Sequence, residues 1–236
     1  MKKKCIAIVL AAGRGKRMGC DIPKQYLLIK GRPVLYYSLR IFEESFIDEI
    51  ILVTSEEEIP YCRKEVVEKY DFCKITNIVA GGKERYHSVF EGIKAAGECD
   101  YLFIHDGARP FVTQEILERA YKSVVKYDTC VIGMPAKDTI KIVDENNFAL
   151  STPNRDSVWM MQTPQVFSAS LIKDAYERLS KNEEQLIKEG IKITDDAMVV
   201  ETFSKTKVKL VEGSYENIKI TTPEDLKLAE SFLEDV

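Results

Sequence analysis

The sequence predicts an α/β fold, a single domain over residues 1–236 built on a mostly parallel sheet with right-handed crossovers. Three observations carry this. Short apolar runs of strand length alternate with amphipathic stretches through the first half of the chain. The first of those runs ends in a glycine-rich loop. And 236 residues at 45% hydrophobic content suffice for one large core without requiring a split.

Ile6-Ala7-Ile8-Val9-Leu10 is the first strand; it ends in Ala11-Ala12-Gly13-Arg14-Gly15-Lys16-Arg17-Met18 and leads to Pro23-Lys24-Gln25. Arg32-Pro33-Val34 opens a helix with Leu35, Leu39 and Phe42 on its apolar face, and Ile50-Ile51-Leu52-Val53 follows as the second strand. Ser55 and Glu58 have the spacing of a capping box. A third strand near Ile75 to Val79 ends at Ala80-Gly81-Gly82, and the helix beyond it buries Val89, Ile93 and Ala96. The fourth strand, Tyr101 to Ile104, ends in His105-Asp106-Gly107-Ala108-Arg109-Pro110. In such a sheet ligands gather at the carboxyl ends of the strands, so the loops after Leu10, Val79 and Ile104 are expected to sit together.

From Thr129 to Phe167 the helical period is lost. Thr139 to Val143 and Phe148 to Ser151 flank the turn cluster Asp144-Glu145-Asn146-Asn147, which reads as a hairpin projecting from the sheet. Such a two-stranded arm is barely stable alone, so it is expected to pack on a second copy of the chain. Helices resume at Ser170 to Leu179 and Asn182 to Glu189, and strands are expected near Val208 to Val211 and Ile218 to Ile220. Thr222-Pro223-Glu224-Asp225 starts a last helix, with a Thr cap, Pro in the first turn and acids at the positive dipole end.

The loop after the first strand presents three cations in four positions, Arg14, Lys16 and Arg17, with Lys24 close behind. A buried strand that ends this way delivers backbone amides and cations to phosphates. It is not a P-loop, because Gly15-Lys16 is followed by Arg17 and no hydroxyl is available for magnesium. It is not a dinucleotide fingerprint either. The third glycine is replaced by Met18, and the second strand ends in Leu52-Val53-Thr54-Ser55 without the ribose-binding acid.

A net charge of −4 provides no general basic field for nucleic acid, so local cation clusters must account for phosphate binding. The six cysteines form no Cys-x-x-Cys pair, and two histidines make no zinc pattern; the set reads as reduced cysteines of a cytoplasmic protein. Met1-Lys2-Lys3-Lys4 is basic, but the apolar stretch behind it stops at about Ala12 and reads as a strand rather than a signal peptide. No segment approaches the roughly 18 apolar residues of a membrane span.

Several motifs occur in one order from residue 11 to 226. They are Ala11-Ala12-Gly13-x-Gly15-x-Arg17-Met18, Pro23-Lys24-Gln25-Tyr26, Gly81-Gly82-x-x-Arg85-x-x-Ser88, His105-Asp106-x-Ala108-Arg109-Pro110, Gln162-Thr163-Pro164-Gln165, Thr194-Asp195-Asp196-Ala197 and Asn217-Ile218-Lys219. Together they resemble the 2-C-methyl-D-erythritol 4-phosphate cytidylyltransferase family. The resemblance implies a Rossmann-like three-layer nucleotidyltransferase domain that uses CTP and methylerythritol phosphate and releases pyrophosphate. It also implies a magnesium ion and a homodimer joined through the arm at residues 137–157. The alternative is the same chemistry on ribitol 5-phosphate; Thr194 to Ala197 favours methylerythritol. A nicotinamide oxidoreductase lacks its glycine and acid here, and a non-catalytic CTP sensor would bind without turnover.

Displacing pyrophosphate from the α-phosphate of CTP needs no covalent enzyme group, because the sugar phosphate is itself the nucleophile. The protein has to align two anions and neutralise charge as it builds. By the resemblance, Arg17 and Lys24 are the transition-state stabilisers, and Arg155 and Lys219 hold the methylerythritol phosphate. Ala11, Ala12, Gly13 and Gly15 give backbone contacts to the triphosphate with Lys24. Gly81, Gly82 and Ser88 read the cytosine, with Arg85 in the same motif. Asp106 lies beside ribose and metal with Gly107 next to it, Arg109 orders that loop or the phosphates or else is a salt-bridged structural residue, and Thr163, with Thr139 from the neighbouring chain, joins the substrate contacts. Lys83 stands where the family often has an acid and Gly107 where it often has alanine. These departures are expected to touch affinity more than activity. Lys219 is expected at the end of a short strand, near the first loop.

Overall fold

The computed structural model describes residues 2–13, 15, 18–19 and 22–233. Its chain runs β1 (Cys5–Leu10), the ribbon β2 (Leu28–Ile29) and β3 (Arg32–Pro33), α1 (Val34–Glu43), β4 (Glu49–Thr54), α2 (Ile59–Cys62), β5 (Ile75–Ala80), α3 (Arg85–Ala95) and β6 (Tyr101–Asp106). Then follow α4 (Gln114–Tyr127), β7 (Thr129–Pro135), β8 (Ile142–Val143), β9 (Ala149–Ser151), β10 (Trp159–Ser168), α5 (Ala169–Lys188), α6 (Asp196–Phe203), β11 (Leu210–Glu212) and α7 (Pro223–Phe232).

Among the described residues, seven strands make the main sheet in the order β11-β7-β10-β6-β1-β4-β5. β1 lies parallel to β4 and β6, β4 is parallel to β5, and β11 is parallel to β7. Only β10 runs against its neighbours β6 and β7. The strands read as unbroken apolar runs because both faces are covered. Ile6 and Ile8 pack with Val89, Ile93, Ile172 and Tyr176 on the face of α3 and α5. Cys5, Ala7 and Val9 face the other way, onto Leu35, Leu39, Ile116 and Leu117 of α1 and α4. Three layers result. A smaller cluster of Ile29, Val34, Ile220 and Ala229 docks the C-terminal segment beside β2.

The mostly parallel α/β sheet, the start of α1 and the Thr222 start of α7 are as expected; Asp225 accepts from the Thr222 amide at 2.8 Å in a capping box. Other expectations need correction. Ser55 makes no cap bond, and Glu58 turns inward instead. The two helices of 170–179 and 182–189 are one, because Lys181 and Asn182 are ordinary helix residues and no Gly or Pro intervenes. Ile218 to Ile220 is not a strand: its pairing is limited to the Ile220 amide on the Ala108 carbonyl at 2.8 Å. The strand expected at 208–211 lies at Leu210–Glu212, and β8 and β9 are shorter than read. Strands β7 and β10 and helices α4 and α6 were not foreseen. β7 and β10 are adjacent and antiparallel, so the arm extends from their connection.

Candidate active site

The carboxyl ends of β1, β5 and β6 meet at one cleft of about 780 Å³. This is the crevice beside β1 where the strand order reverses, the usual ligand position in an open parallel sheet. Ala11, Ala12, Gly13 and Gly15 line it from the first loop, with Lys24 and Gln25 behind them. Gly81, Gly82, Arg85 and Ser88 line it from the β5 side, and Asp106 and Lys219 from the other. The structure therefore brings together these predicted residues from both ends of the chain. Arg17 lies outside the described residues.

Two glycines are required where the loop after β5 turns. A Cβ on Gly81 would stand 2.7 Å from both Ala12 Cβ and Ser88 Oγ, and one on Gly82 would stand 2.3 Å from His87 Cβ. Ser88 Oγ accepts the Gly82 amide at 3.1 Å, so the serine shapes the loop as well as lining the cleft. Lys83, one of the two residues that depart from the family pattern, also lines it.

Asp106 is the electrostatic centre. It accepts from Lys219 Nζ at 2.7 Å and Arg85 Nε at 3.2 Å, with Arg109 Nε at 4.0 Å. Burial alone would raise its carboxyl, but Arg85, then Lys219 and Arg109, hold it well below the usual carboxylate range. Arg85 also forks onto Asp196, with both hydrogen bonds at 2.9 Å, and the Tyr176 hydroxyl donates to Asp196 at 2.5 Å. Asp196 is fully buried at the start of α6, one residue after Asp195, which caps that helix by accepting from the Met198 amide at 2.9 Å. Gln165 Nε2 donates to Asp195 and Gln165 Oε1 accepts the Ala197 amide, both at 2.9 Å. The Gln162 to Gln165 and Thr194 to Ala197 motifs are thus joined by one bond between side chains and one from backbone to side chain.

His105 underpins the Asp106 turn. Its Nε2 faces the Arg109 carbonyl at 3.1 Å, which can only accept, so Nε2 carries the proton. Nδ1 then accepts from the Thr163 hydroxyl at 2.9 Å, and that hydroxyl accepts the Asp106 amide at 3.0 Å. Burial pushes His105 down to about 4, in keeping with a neutral ring. Arg109 donates to the Asn217 carbonyl at 2.7 Å and the Met161 carbonyl at 3.3 Å, under the segment that carries Lys219. Gly107 is buried, its amide on the Leu10 carbonyl at 2.8 Å, and a Cβ there would lie 2.8 Å from Leu35 Cδ1. Gly107, Arg109 and Thr163 accordingly sit behind the cleft wall rather than on it. Arg155 and Thr139 are on the arm, exposed and away from the cleft; Arg155 donates to the Lys137 carbonyl at 3.3 Å.

Lys24 donates to the carbonyl of Ile220 at 2.9 Å, the residue after Lys219. The two lysines, 195 positions apart in sequence, thus line the same cleft, with the Lys24 ammonium on the backbone next to Lys219.

Residues 5–235 match the family model of 2-C-methyl-D-erythritol 4-phosphate cytidylyltransferase (IspD). The chain belongs to this family. Among its relatives, a protein of that name from Lachnospira eligens is 53% identical, with 96% of this chain and 98% of the other covered. Another from Caldanaerobacter subterraneus is 50% identical, covering 96% and 97%. The crystal structure of a 4-diphosphocytidyl-2C-methyl-D-erythritol synthase from Anaerococcus prevotii superposes with a TM-score of 0.85 at 36% identity, covering 98% of this chain and 96% of that one. A member of this family is a nucleotidyltransferase that carries out CTP-dependent cytidylyl transfer, and the ribitol phosphate alternative is not favoured. No helix among the described residues is long and apolar enough to cross a membrane.

Sequence reasoning missed the roles of Glu58, His105, Tyr176 and Asp196. Asp196 stood within a quoted motif, but Tyr176 looks like any core residue of an amphipathic helix, and Glu58 fitted a capping pattern that the chain does not use.

Proposed function

We propose that the cleft binds CTP and methylerythritol phosphate side by side and directs a phosphate oxygen of the sugar onto the α-phosphorus of CTP. The new P–O bond forms as the bond to pyrophosphate breaks. The observation that carries this reading is that Lys24, bonded to the Ile220 carbonyl, and Lys219, bonded to Asp106, line one cleft together with Gly81 and Gly82. Lys24 and Arg17 neutralise charge growing on the α-phosphate and on the departing pyrophosphate. The amides of residues 11–13 and 15 cradle the triphosphate. Lys219 and Arg155 grip the methylerythritol phosphate, the arginine in bidentate fashion and the lysine as a point charge. Arg109 and Thr163 act from behind, by fixing the Asn217-Lys219 segment and the Asp106 amide.

Asp106 is a buried hard-oxygen donor at the cleft wall and fits magnesium. Among the described residues no three ligating side chains cluster, so the ion would be held chiefly by the triphosphate and water. When bound, it neutralises triphosphate charge.

Arg155 and Thr139 reach a cleft only if the arm of a second copy supplies them. Ile142, Val143, Phe148, Leu150 and Met160 on and beside the arm are 47–72% exposed, a cluster of apolar surface that supports a homodimer. Residues 1–236 then form one cytidylyltransferase domain, with 137–157 as the dimerisation arm. The described cysteines are all free, which supports a cytoplasmic location.

Two expected results test this. A pyrophosphate-release assay should show clear preference for CTP, because a wrong base leaves buried polar groups of the Gly81 to Ser88 segment unpaired at about 1–3 kcal/mol each. Equal turnover of UTP or ATP would sink the base assignment. Mixing inactive Arg155→Ala and Lys24→Ala chains should restore activity, since a mixed dimer holds one site with both residues intact. A mixture as inactive as its parts counts against the shared site.

A further inference from the structure

The turn that carries Lys24 is short, and its hydrogen bonds converge on one carboxylate. Thr54, Tyr26 and Gln25 are each 6% exposed or less, and each has a side-chain donor on Glu58 Oε2, at 3.0, 3.3 and 3.4 Å. The Gln25 amide also donates to the Ala11 carbonyl at 2.6 Å, the first residue beyond β1. Burial foremost, then Cys62 with Glu58 behind it, pushes the Tyr26 phenol above its usual range, which keeps it a donor. The Tyr26 ring meets Tyr61 of α2 edge-on, with centroids 4.9 Å apart. On the other side Gly15 lies against the Lys24 stem, where a Cβ on the glycine would come within 3.3 Å of Lys24 Cβ and Cγ.

We infer that Glu58 is a positioning residue: its carboxylate ties the Lys24-Gln25-Tyr26 turn (residues 24–26) to the ends of β1 and β4 and thereby aims Lys24 into the cleft. The inference rests on the proposed role of Lys24. A charged acceptor suits this task because hydrogen bonds to a carboxylate are about twice as strong as neutral ones. Without it the Tyr26 and Thr54 hydroxyls, 3.1 Å apart, can satisfy only one of their two hydrogens on each other, and Gln25 Nε2 keeps only the Ala11 carbonyl, so one hydroxyl and one amide hydrogen lose their acceptor. Glu58 touches no reacting atom in this arrangement; it acts through Gln25 and the backbone on either side of it. Its neighbours Glu56 and Glu57 line the cleft, whereas Glu58 is turned behind it.

The test compares Glu58→Ala, Glu58→Gln and the unaltered protein in pyrophosphate release, together with hydrogen exchange of the backbone over residues 22–29. Glu58→Ala should lower kcat by roughly 10- to 100-fold, the effect of a small misplacement of a charged group. KM for methylerythritol phosphate should stay unchanged, and exchange should accelerate in that turn but not in β6 or α5. Glu58→Gln retains an acceptor and should recover most of the rate. An alanine variant with full kcat and an unchanged turn overturns the inference. So does a loss of rate that Glu58→Gln fails to recover, or one accompanied by faster exchange throughout the chain. If Glu58→Ala does not fold, Tyr26→Phe removes one of the three donors and is read the same way, with a smaller effect. The exchange measurement does not depend on turnover. An unaltered protein that fails to use CTP with methylerythritol phosphate would count against the proposed reaction, while the exchange pattern still decides the clamp.

Discussion

Lys219→Ala should leave the fold and CTP binding nearly intact and cut kcat/KM for methylerythritol phosphate by roughly 100- to 1,000-fold, the range expected when one preorganised charge is lost. The residue is part-exposed: its side chain is 37% accessible and its ammonium sits on Asp106 at 2.7 Å. Without it Asp106 keeps Arg85 at 3.2 Å and Arg109 nearby, so the carboxylate stays compensated and the wall stays in place. The second substrate, by contrast, loses the point charge proposed to meet its phosphate. Steady-state kinetics with each substrate varied in turn, plus CTP titration, separate the two effects. A variant near the unaltered kcat/KM shows Lys219 to be only the partner of Asp106, and the C-terminal part of the proposed site falls with it.

Asp196→Ala should have the largest effect on stability, up to about 3–5 kcal/mol, because it removes one side of a buried ion pair, leaves Arg85 only Asp106, which Lys219 already engages, and takes away the acceptor of the Tyr176 hydroxyl. Asp196 is fully buried and accepts both prongs of Arg85 and the Tyr176 hydroxyl, while the Arg85 side chain is 27% accessible, too little for water to replace the lost partner fully. For a chain of this size the change corresponds to a fall in Tm on the order of 10 °C. Asp196→Asn keeps an acceptor of the same shape and should lose less. Because Arg85 also holds Asp106, the alanine variant that remains folded should bind CTP more weakly. Calorimetry gives the first quantity and nucleotide titration the second; an unchanged Tm would mean that Arg85 and Tyr176 find other partners.

The failures of sequence reading share one cause. Ser55 and Glu58 satisfy the spacing of a capping box, and a local rule has no means of knowing that Tyr26 and Gln25, 32 and 33 positions away, will join Thr54 on that carboxylate. Ile218 and Ile220 are apolar and alternate, as in a strand, yet Ile220 is buried against Ile29, Val34 and Ala229 and only one backbone bond reaches the Ala108 loop. Apolar alternation reports burial, and burial was supplied by a helix and a ribbon instead of a ladder. The irregular backbone of Thr129 to Phe167 hid two central strands because β7 and β10 carry Pro135 and Pro164 and a shifted register between Met161 and Gln165.

By itself the sequence determined the layered α/β architecture, since unbroken apolar strands alternating with amphipathic helices have few other ways to bury both faces of a sheet. It also determined the loop chemistry: glycines where backbone must approach closely, cations beside them, and acids at the start of α7. Only the tertiary structure decided how those parts act together. It brought Lys219 and Lys24 to one cleft, forked Arg85 between Asp106 and Asp196, made the His105 ring neutral between Thr163 and the Arg109 carbonyl, and turned Glu58 inward. The physical reason is range. Propensity and periodicity act over a few residues, whereas the pairing of charges and the satisfaction of buried donors depend on which segments the sheet order brings into contact, across as many as 196 positions between Lys24 and Ile220.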